Sequence, residues 1–457
     1  MSTLHTQKKA ELMQLHTTHA NGCEPIRARS RQLFSRAQNL LPAGVSRSTI
    51  ERDPIPAYAL NGRGAYLTDA DGNKYLDLNN NFTTLIHGHC FEPVTEAVAQ
   101  ILRSGTCFAN PTEHELNLAE LLIDRIPAVE RIRFVNSGTE AVMFAIKAAR
   151  AFTGKPAIAR FEGSYHGAYD WAEAGQSGTV SADGTLLAKP AYSGCPTSVC
   201  ENIVLLEFNN IQYLERSLKE HAHKLSAILI DPMPSRAGLL KPDSLFIEAL
   251  NVYAKKHGIL VIADEVLNLR QAYDGASARY GLTPDLITTG KIIGGGFPIG
   301  AIGGRVDVMS VFDDTRKASL VAQGGTFSAN PVSMIAGKIA MEAMTRQQFS
   351  YLDRLGEQLC GHLRQRVEKW DAPFSITNAA SLLRIHPKST APSSYKDAIM
   401  DVREAALMKA MSRFFFQHGI ILPFGAAACL STPMTDDDIG KIVSVFDDFL
   451  KTQSRKN

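Results

Sequence analysis

Apolar residues along this chain switch between two spacings. From about residue 65 to 340, short runs rich in Ile, Val, Leu and Ala alternate with stretches whose apolar positions fall three or four apart. The runs predict strands at 132–135, 157–161, 203–206, 227–230, 259–263, 286–288 and 301–303. Amphipathic helices lie between several of them; over 245–257, Leu245, Ala249, Leu250 and Tyr253 are expected to share one face. Strands that read as near-continuous apolar runs are those buried on both faces of a parallel sheet. The pattern therefore predicts an α/β fold in which a βαβ series builds a mostly parallel seven-stranded sheet.

The two ends of the chain read differently. A helix over 31–41 stops at Pro42-Ala43-Gly44, and the turn signals Asn61-Gly62-Arg63-Gly64 and Asp69-Ala70-Asp71-Gly72-Asn73 mark a hairpin. The C-terminal part carries long helices at 347–370, 402–418 and 436–450 with strand-like pieces between them. Residues 30–69 and 341–457 are expected to pack together as a small α+β domain beside a large domain at 70–340, with 1–29 a flexible arm. Residues 177–198, rich in Gly, Ser, Pro and Ala, read as a long loop.

Composition narrows the function classes. The 457 residues are 45% hydrophobic and 21% charged with a net charge of +2, which excludes a disordered chain and gives no basic footprint for nucleic acid. Seven cysteines, without a Cys-x-x-Cys pair, argue against a disulfide framework or a cysteine metal site and suit a reducing cytoplasm. Residues 1–20 lack the apolar core of a signal peptide, and no run approaches the 18 apolar residues of a membrane span. His5, His16 and His19 belong to a polar terminus and are not read as metal ligands.

Chemistry concentrates at the predicted strand ends. Lys291 sits between the strand at 286–288 and the glycine turn Gly294-Gly295-Gly296. A lysine held there on rigid backbone loses part of its preference for charge and becomes a nucleophile able to condense with an aldehyde. Asn136-Ser137-Gly138-Thr139-Glu140 follows a strand and opens a helix, so backbone N–H groups of Gly138 and Thr139 and two hydroxyls suit a phosphate. Tyr165 and His166, in Gly163-Ser164-Tyr165-His166-Gly167, lie past another strand end, where a flat ring can cover a planar cofactor. Asp264 ends the most hydrophobic strand and needs a cation or strong donors; a protonated pyridine is such a cation, and Val266 is placed to cover the opposite ring face. A hydroxyl-rich turn, Gly324-Gly325-Thr326-Phe327-Ser328, completes the set. Taken singly, each motif has an ordinary structural explanation: a capped helix, a packed tyrosine, a solvated lysine. Open α/β sheets, however, bind ligands at the carboxyl ends of their strands, and all five motifs are expected there.

In this order the segments NSGTEAVMFAIKAAR, FEGSYHG, ADEV, TTGKIIGGGFPIGAIGG and GGTFSANP resemble the class III, ω-type aminotransferases. The resemblance runs from about residue 40 to 443. It implies a fold type I enzyme, the cofactor pyridoxal 5′-phosphate, and a homodimer with active sites at the subunit interface. It also implies roles. Lys291 would carry the cofactor as a Schiff base, Asp264 would pair with the pyridinium, Ser137, Gly138 and Thr139 would hold phosphate, and Tyr165 would stack on the ring with His166 beside it. Thr326 would reach the phosphate of the neighbouring site, and Asn209 would lie near the cofactor's phenolic oxygen.

Two branches look closest, the glutamate-1-semialdehyde 2,1-aminomutases and the β-phenylalanine type of β-amino acid aminotransferase. The substrate-side segments depart from the aminomutases: Ile50 stands where their motif ends in arginine, and 423–429 lacks their acidic residue. The β-amino acid branch matches better through Arg47 and the Asp264-to-Arg270 spacing, although Phe424 replaces its second arginine. Arg47 is expected to grip a carboxylate through a bidentate fork, while Asn79, Asn80, Asn81 and Phe82, beside His87-Gly88-His89, are expected to line the other pocket wall, their polarity pointing to a hydroxylated or carboxylated substrate. Arg236 either supplies the second carboxylate contact, Phe424 then shaping an apolar side, or is a surface arginine paired with a nearby acid. A nucleotide-binding oxidoreductase is disfavoured, because no Gly-x-Gly-x-x-Gly follows the first strand. A non-catalytic protein that kept the fold is the remaining alternative.

Overall fold

Hairpin turns at glycine and aspartate shape the first strands. In the computed structural model, which describes residues 27–53, 55–182, 184–315, 318–425 and 427–454, β1 (Ala59–Arg63), β2 (Tyr66–Asp69) and β3 (Lys74–Asp77) form an antiparallel meander. There follow β4 (Arg131–Val135), β5 (Ala157–Phe161), the hairpin β6 (Gly178–Val180) and β7 (Leu186–Ala188), and β8 (Ile203–Leu206). Next come β9 (Leu225–Ile230), β10 (Leu260–Asp264), β11 (Leu286–Gly290) and β12 (Gly300–Gly304). The C-terminal part adds β13 (Ser375–Ala379), β14 (Leu382–His386), β15 (Ile420–Ile421) and β16 (Ala428–Cys429).

Seven strands make the central sheet in the order β4-β12-β11-β10-β9-β5-β8. Its pairs are parallel from β11 through β8, whereas β12 runs antiparallel to both β11 and β4. Successive residues of one strand enter different cores: Ile228 and Ile230 join one apolar cluster, Ala227 and Leu229 the other. That double burial is why these strands read as continuous apolar runs. The helix Gly138–Thr153 covers one face, burying Ala141, Val142, Ala145, Ile146, Ala148 and Ala149.

The chain ends meet in a second sheet, where β15 pairs in parallel with β3, giving the order β1-β2-β3-β15. A third sheet, β13-β14-β16, lies nearby in sequence. The long C-terminal helices run Arg346–Lys369, Val402–Gln417 and Asp436–Ser454.

Four expectations need adjusting. The small sheet reaches past residue 70, because the turn at Asp69–Gly72 folds β3 back onto β2. The first described helix is Ala28–Gln38, so it begins inside the expected arm; residues 1–26 lie outside the described residues. The segment expected as a loop at 177–198 contains β6 and β7, closed by hydrogen bonds between Ser181 and Thr185 and anchored by Leu186 N–H donating to Tyr213 Oη at 2.8 Å. In the helix Ser244–His257 the buried face is Phe246, Ile247, Leu250 and Ala254, while Leu245 is exposed. Leu245 sits at the very start of that helix, next to its Asp243 cap, where the apolar stripe has not begun.

Candidate active site

Parallel register brings the chemistry together. Ala263 of β10 pairs with Ile230 of β9, and Asp264 pairs with Thr288 of β11. Asp231 and Asp264 therefore leave neighbouring strand ends at the same level, and Lys291 follows directly on the last residue of β11. Three donors fix the Asp264 carboxylate: His166 Nδ1 at 2.7 Å on Oδ2, and Thr288 Oγ1 and Val266 N–H, each at 3.1 Å, on Oδ1. His166 is wholly buried, and burial holds its imidazole below the ordinary histidine range, against the pull of Asp264. Its Nε2 has no partner among the described residues. Behind this pair lies Arg160, a charged residue inside β5, which donates to the carbonyls of Ser164, Ala172 and Ala174. Burial pushes its guanidinium down to about 9, with Asp264 opposing.

Lys291 starts a short 3₁₀ turn, Lys291–Gly294, with its own backbone left-handed at φ 50°. That conformation is uncommon for a residue with a side chain and turns Lys291 sharply off the strand. The Lys291 ammonium is held below the usual amine range by desolvation, opposed by Asp264 and Asp231. Asp231 is raised to about 8, first by burial and then by the charge of Asp264. Its Oδ1 accepts Met233 N–H at 3.0 Å and the Asn268 amide.

At the start of the helix Gly138–Thr153, Ser137 is the N-cap, its Oγ accepting Glu140 N–H at 3.2 Å. The first-turn N–H groups of Gly138 and Thr139 have no acceptor inside the helix. A Cβ on Gly138 would stand 2.7 Å from Val266 Cγ1, and one on Gly300 would stand 2.1 Å from the Ser137 carbonyl. Only glycine lets Val266 and β12 close on this turn. Thr139 Oγ1 accepts Ala168 N–H at 3.2 Å, which ties the Tyr165-His166 loop to the same helix start. Tyr165 leaves 46% of its surface exposed, and the Arg236 guanidinium lies over its ring at 5.6 Å.

The substrate-side residues gather less tightly. Arg47 Nη1 donates to Asn81 Oδ1 at 3.0 Å, and its guanidinium lies 5.5 Å from the centre of the Phe82 ring. Arg236 forms no ion pair among the described residues, so the surface-pair reading lacks its acid; the backbone carbonyls of Ser235 and Arg236 are held by Arg384 Nη1 at 2.7 and 3.2 Å. Phe424 is exposed in the turn between β15 and β16, and Thr326 is exposed in the turn before the helix Pro331–Ala343. Asn209 is not brought to the cluster. It follows the edge strand β8, three strands from β10, and its amide is spent on Lys241 O at 2.9 Å and Asp243 N–H at 3.0 Å. Its placement gives no support to a position by the cofactor's phenolic oxygen.

Sequence reasoning passed over Arg160, Asp231 and Thr288, and it placed Asn81 on the pocket wall without its contact to Arg47. Two of the first three left a signal, since Arg160 interrupts an apolar strand and Asp231 ends a strand as Asp264 does.

A desolvated lysine and a donor-fixed aspartate thus lie with a helix start at the ends of the sheet's parallel strands. The chain belongs to the class-III aminotransferase family, whose model matches residues 48–448; these enzymes depend on pyridoxal phosphate. It is 35% identical over 402 residues to a glutamate-1-semialdehyde 2,1-aminomutase of Methanothermobacter thermautotrophicus, covering 88% of this chain and 93% of that one. Among solved structures it resembles an omega-transaminase from Sphaerobacter thermophilus, at 43% identity and a TM-score of 0.91 over 93% of this chain and 98% of that one. A β-phenylalanine aminotransferase from Variovorax paradoxus is similar at 29% identity and 0.84, over 93% and 94%. The residues present fit the cofactor: a half-exposed Tyr165 ring, Val266 closed onto Gly138, and free first-turn N–H groups beside Lys291.

Proposed function

We propose that the protein moves an amino group from a carboxylate-bearing amine, β-amino acids included, to a keto acid or aldehyde in two coupled half-reactions. The observation that carries this reading is Arg47. Its guanidinium is held by an uncharged amide and an aromatic face, and it pairs with no carboxylate among the described residues. It is therefore free to receive a substrate carboxylate. Arg236 would meet a second carboxylate, and Phe424 would shape the apolar side.

When bound, the cofactor supplies an aldehyde that condenses with amines and a ring that draws electrons from the neighbouring carbon. Gly138 and Thr139 would hold its phosphate through backbone N–H groups, with Ser137 capping the turn. Asp264 would face the ring nitrogen, its position set by His166, Thr288 and Val266. Tyr165 and Val266 would cover the two ring faces. Lys291 Nζ, its ammonium disfavoured by desolvation against the pull of Asp264 and Asp231, would take a proton from the substrate carbon and return it. The unit of function on this reading is a cytoplasmic homodimer, with the exposed Thr326 serving the neighbouring site.

The purified protein should lose the cofactor's absorbance band on mixing with 3-amino-3-phenylpropanoate and regain it with pyruvate or 2-oxoglutarate. Lys291→Ala is expected to lower kcat by roughly 10²-fold or more with an unchanged circular dichroism spectrum; normal activity in that variant would refute the assignment. A second reading, intramolecular amino transfer, is favoured by the aminomutase name of relatives at 33–36% identity. It predicts turnover of an amino aldehyde without an added acceptor.

A further inference from the structure

We propose that Asn81, carried on a left-handed turn, is the positioning residue that aims Arg47 at the substrate carboxylate. The turn would thereby set a preference for carboxylate-bearing amines over plain amines. This deepens the reading in which Arg47 meets the substrate and rests on it.

Four consecutive residues with side chains, Asn80, Asn81, Phe82 and Thr83, have φ of 47°, 50°, 54° and 73°. Left-handed residues of this kind occur singly, and a run of four without glycine persists only where its surroundings over-determine it. They do so here. Asp77 Oδ1 accepts the N–H groups of Asn79 and Asn80 at 2.8 and 3.0 Å, while its Oδ2 meets His89 Nε2 at 2.9 Å. Asn80 Nδ2 donates to the carbonyls of Asp77 and Cys429 at 2.9 and 3.1 Å. Asn79 Oδ1 accepts Phe82 N–H at 2.5 Å, and Arg270 Nη1 donates to the Thr83 carbonyl at 2.8 Å. The far side of the turn is thus locked from β3, from β16 and from the segment after β10.

The near side carries the two contacts of Arg47. A right-handed turn would wind the side chains of 81 and 82 in the opposite sense, and the amide and the ring would not both reach one guanidinium. Asparagine is also one of the few residues that adopts this backbone readily. The remaining N–H groups of Arg47 stay available, because Asn81 Oδ1 accepts from Nη1 alone. Asn81 is neutral, so it orients the guanidinium without cancelling its charge. The turn also adjoins the segment that carries Lys291, since Leu85 lies 3.3 Å from the Cβ position of Gly296.

The test uses the holoenzyme with two donors of one skeleton, 3-amino-3-phenylpropanoate and 1-phenylpropylamine, and a ligand without an amine, 3-phenylpropanoate. Asn81→Asp, which puts a fixed carboxylate on Arg47, is expected to lower the ratio of kcat/KM for amino acid over amine at least tenfold, mainly through KM for the amino acid. Asn81→Gly, which keeps the left-handed backbone and removes the amide, should lower the same ratio about threefold or more. Calorimetry with 3-phenylpropanoate reads the clamp without turnover, and its Kd should rise tenfold in Asn81→Asp. Ratios within twofold of the parent in both variants, equal losses on both donors, or a parent that does not bind 3-phenylpropanoate would overturn the proposal. If neither donor discharges the cofactor colour while Asn81→Asp still weakens 3-phenylpropanoate, the aminotransfer reading fails and the clamp stands.

Discussion

A methyl group at residue 138 would meet Val266 Cγ1 at 2.7 Å and Cγ2 at 2.9 Å. Alanine is the better helix former by about 1 kcal/mol, yet here the collision decides the outcome, since one side is the helix start and the other is β-branched and stiff. Gly138→Ala is expected to weaken pyridoxal phosphate binding by about tenfold or more, a difference of roughly 1.4 kcal/mol. Adding Val266→Ala to the same chain should recover most of that loss. Fluorescence titration of the apoprotein with cofactor measures both, and a double variant no better than the single would remove Val266 as the cause. At this scale the sequence was most readable where chemistry is concentrated in one letter. Lys291, Asp264 and Gly138 stand out because their types are costly or peculiar at a strand end. The asparagines at 79–81 were legible as a polar pocket wall, but the contact of Asn81 with Arg47 was not, because it depends on a backbone sign that no pattern of polarity encodes. Asn209, expected by the cofactor through the resemblance alone, lies past the edge strand with its amide bonded to Lys241 and Asp243.

Strands and helices differ in what they tolerate at glycine. β12 reads Gly300-Ala301-Ile302-Gly303-Gly304, and side chains at Gly300 or Gly304 would run into the carbonyls of Ser137 or Asp285. The helix Asp436–Ser454 contains Gly440, exposed and with nothing within 4 Å of its Cβ position. Gly440→Ala should therefore raise the unfolding free energy by roughly 0.5–1 kcal/mol, read as a higher urea midpoint with unchanged slope. The same contrast explains what was legible at this scale. The seven central strands could be found because burial on both faces makes them uniformly apolar. The hairpin β6–β7 could not, because Thr179, Val180 and Leu187 face outward and Gly178 and Gly184 stand among them, so composition spoke for a loop. The helix Ser244–His257 was found but rotated, its first apolar residue being the one that does not pack.

Across the whole molecule, Arg270 joins parts of the chain that never meet in sequence. From the turn after β10 it reaches the carbonyls of Thr83 and Leu430 and the Ser381 hydroxyl, and it is 1% exposed. Arg270→Met would fill similar space and leave two buried carbonyls without that donor. Each buried unsatisfied group costs roughly 1–3 kcal/mol, so the variant should lose about 2–5 kcal/mol, seen as a lower urea midpoint for the whole transition. An unchanged midpoint would mean that other donors take over. Sequence spacing from Asp264 marked Arg270 as unusual, but not the three distant segments it unites. The same long-range closure appears in the sheet that both chain ends share. Its fourth strand, β15, pairs with β3 from roughly 340 residues downstream. On a ribosome adding about 5–20 residues per second, the edge of β3 waits roughly 20 to 70 seconds for its partner. Throughout that time the first strands of the nascent chain present an open hydrogen-bonding edge, which leaves them open to pairing with another chain during synthesis.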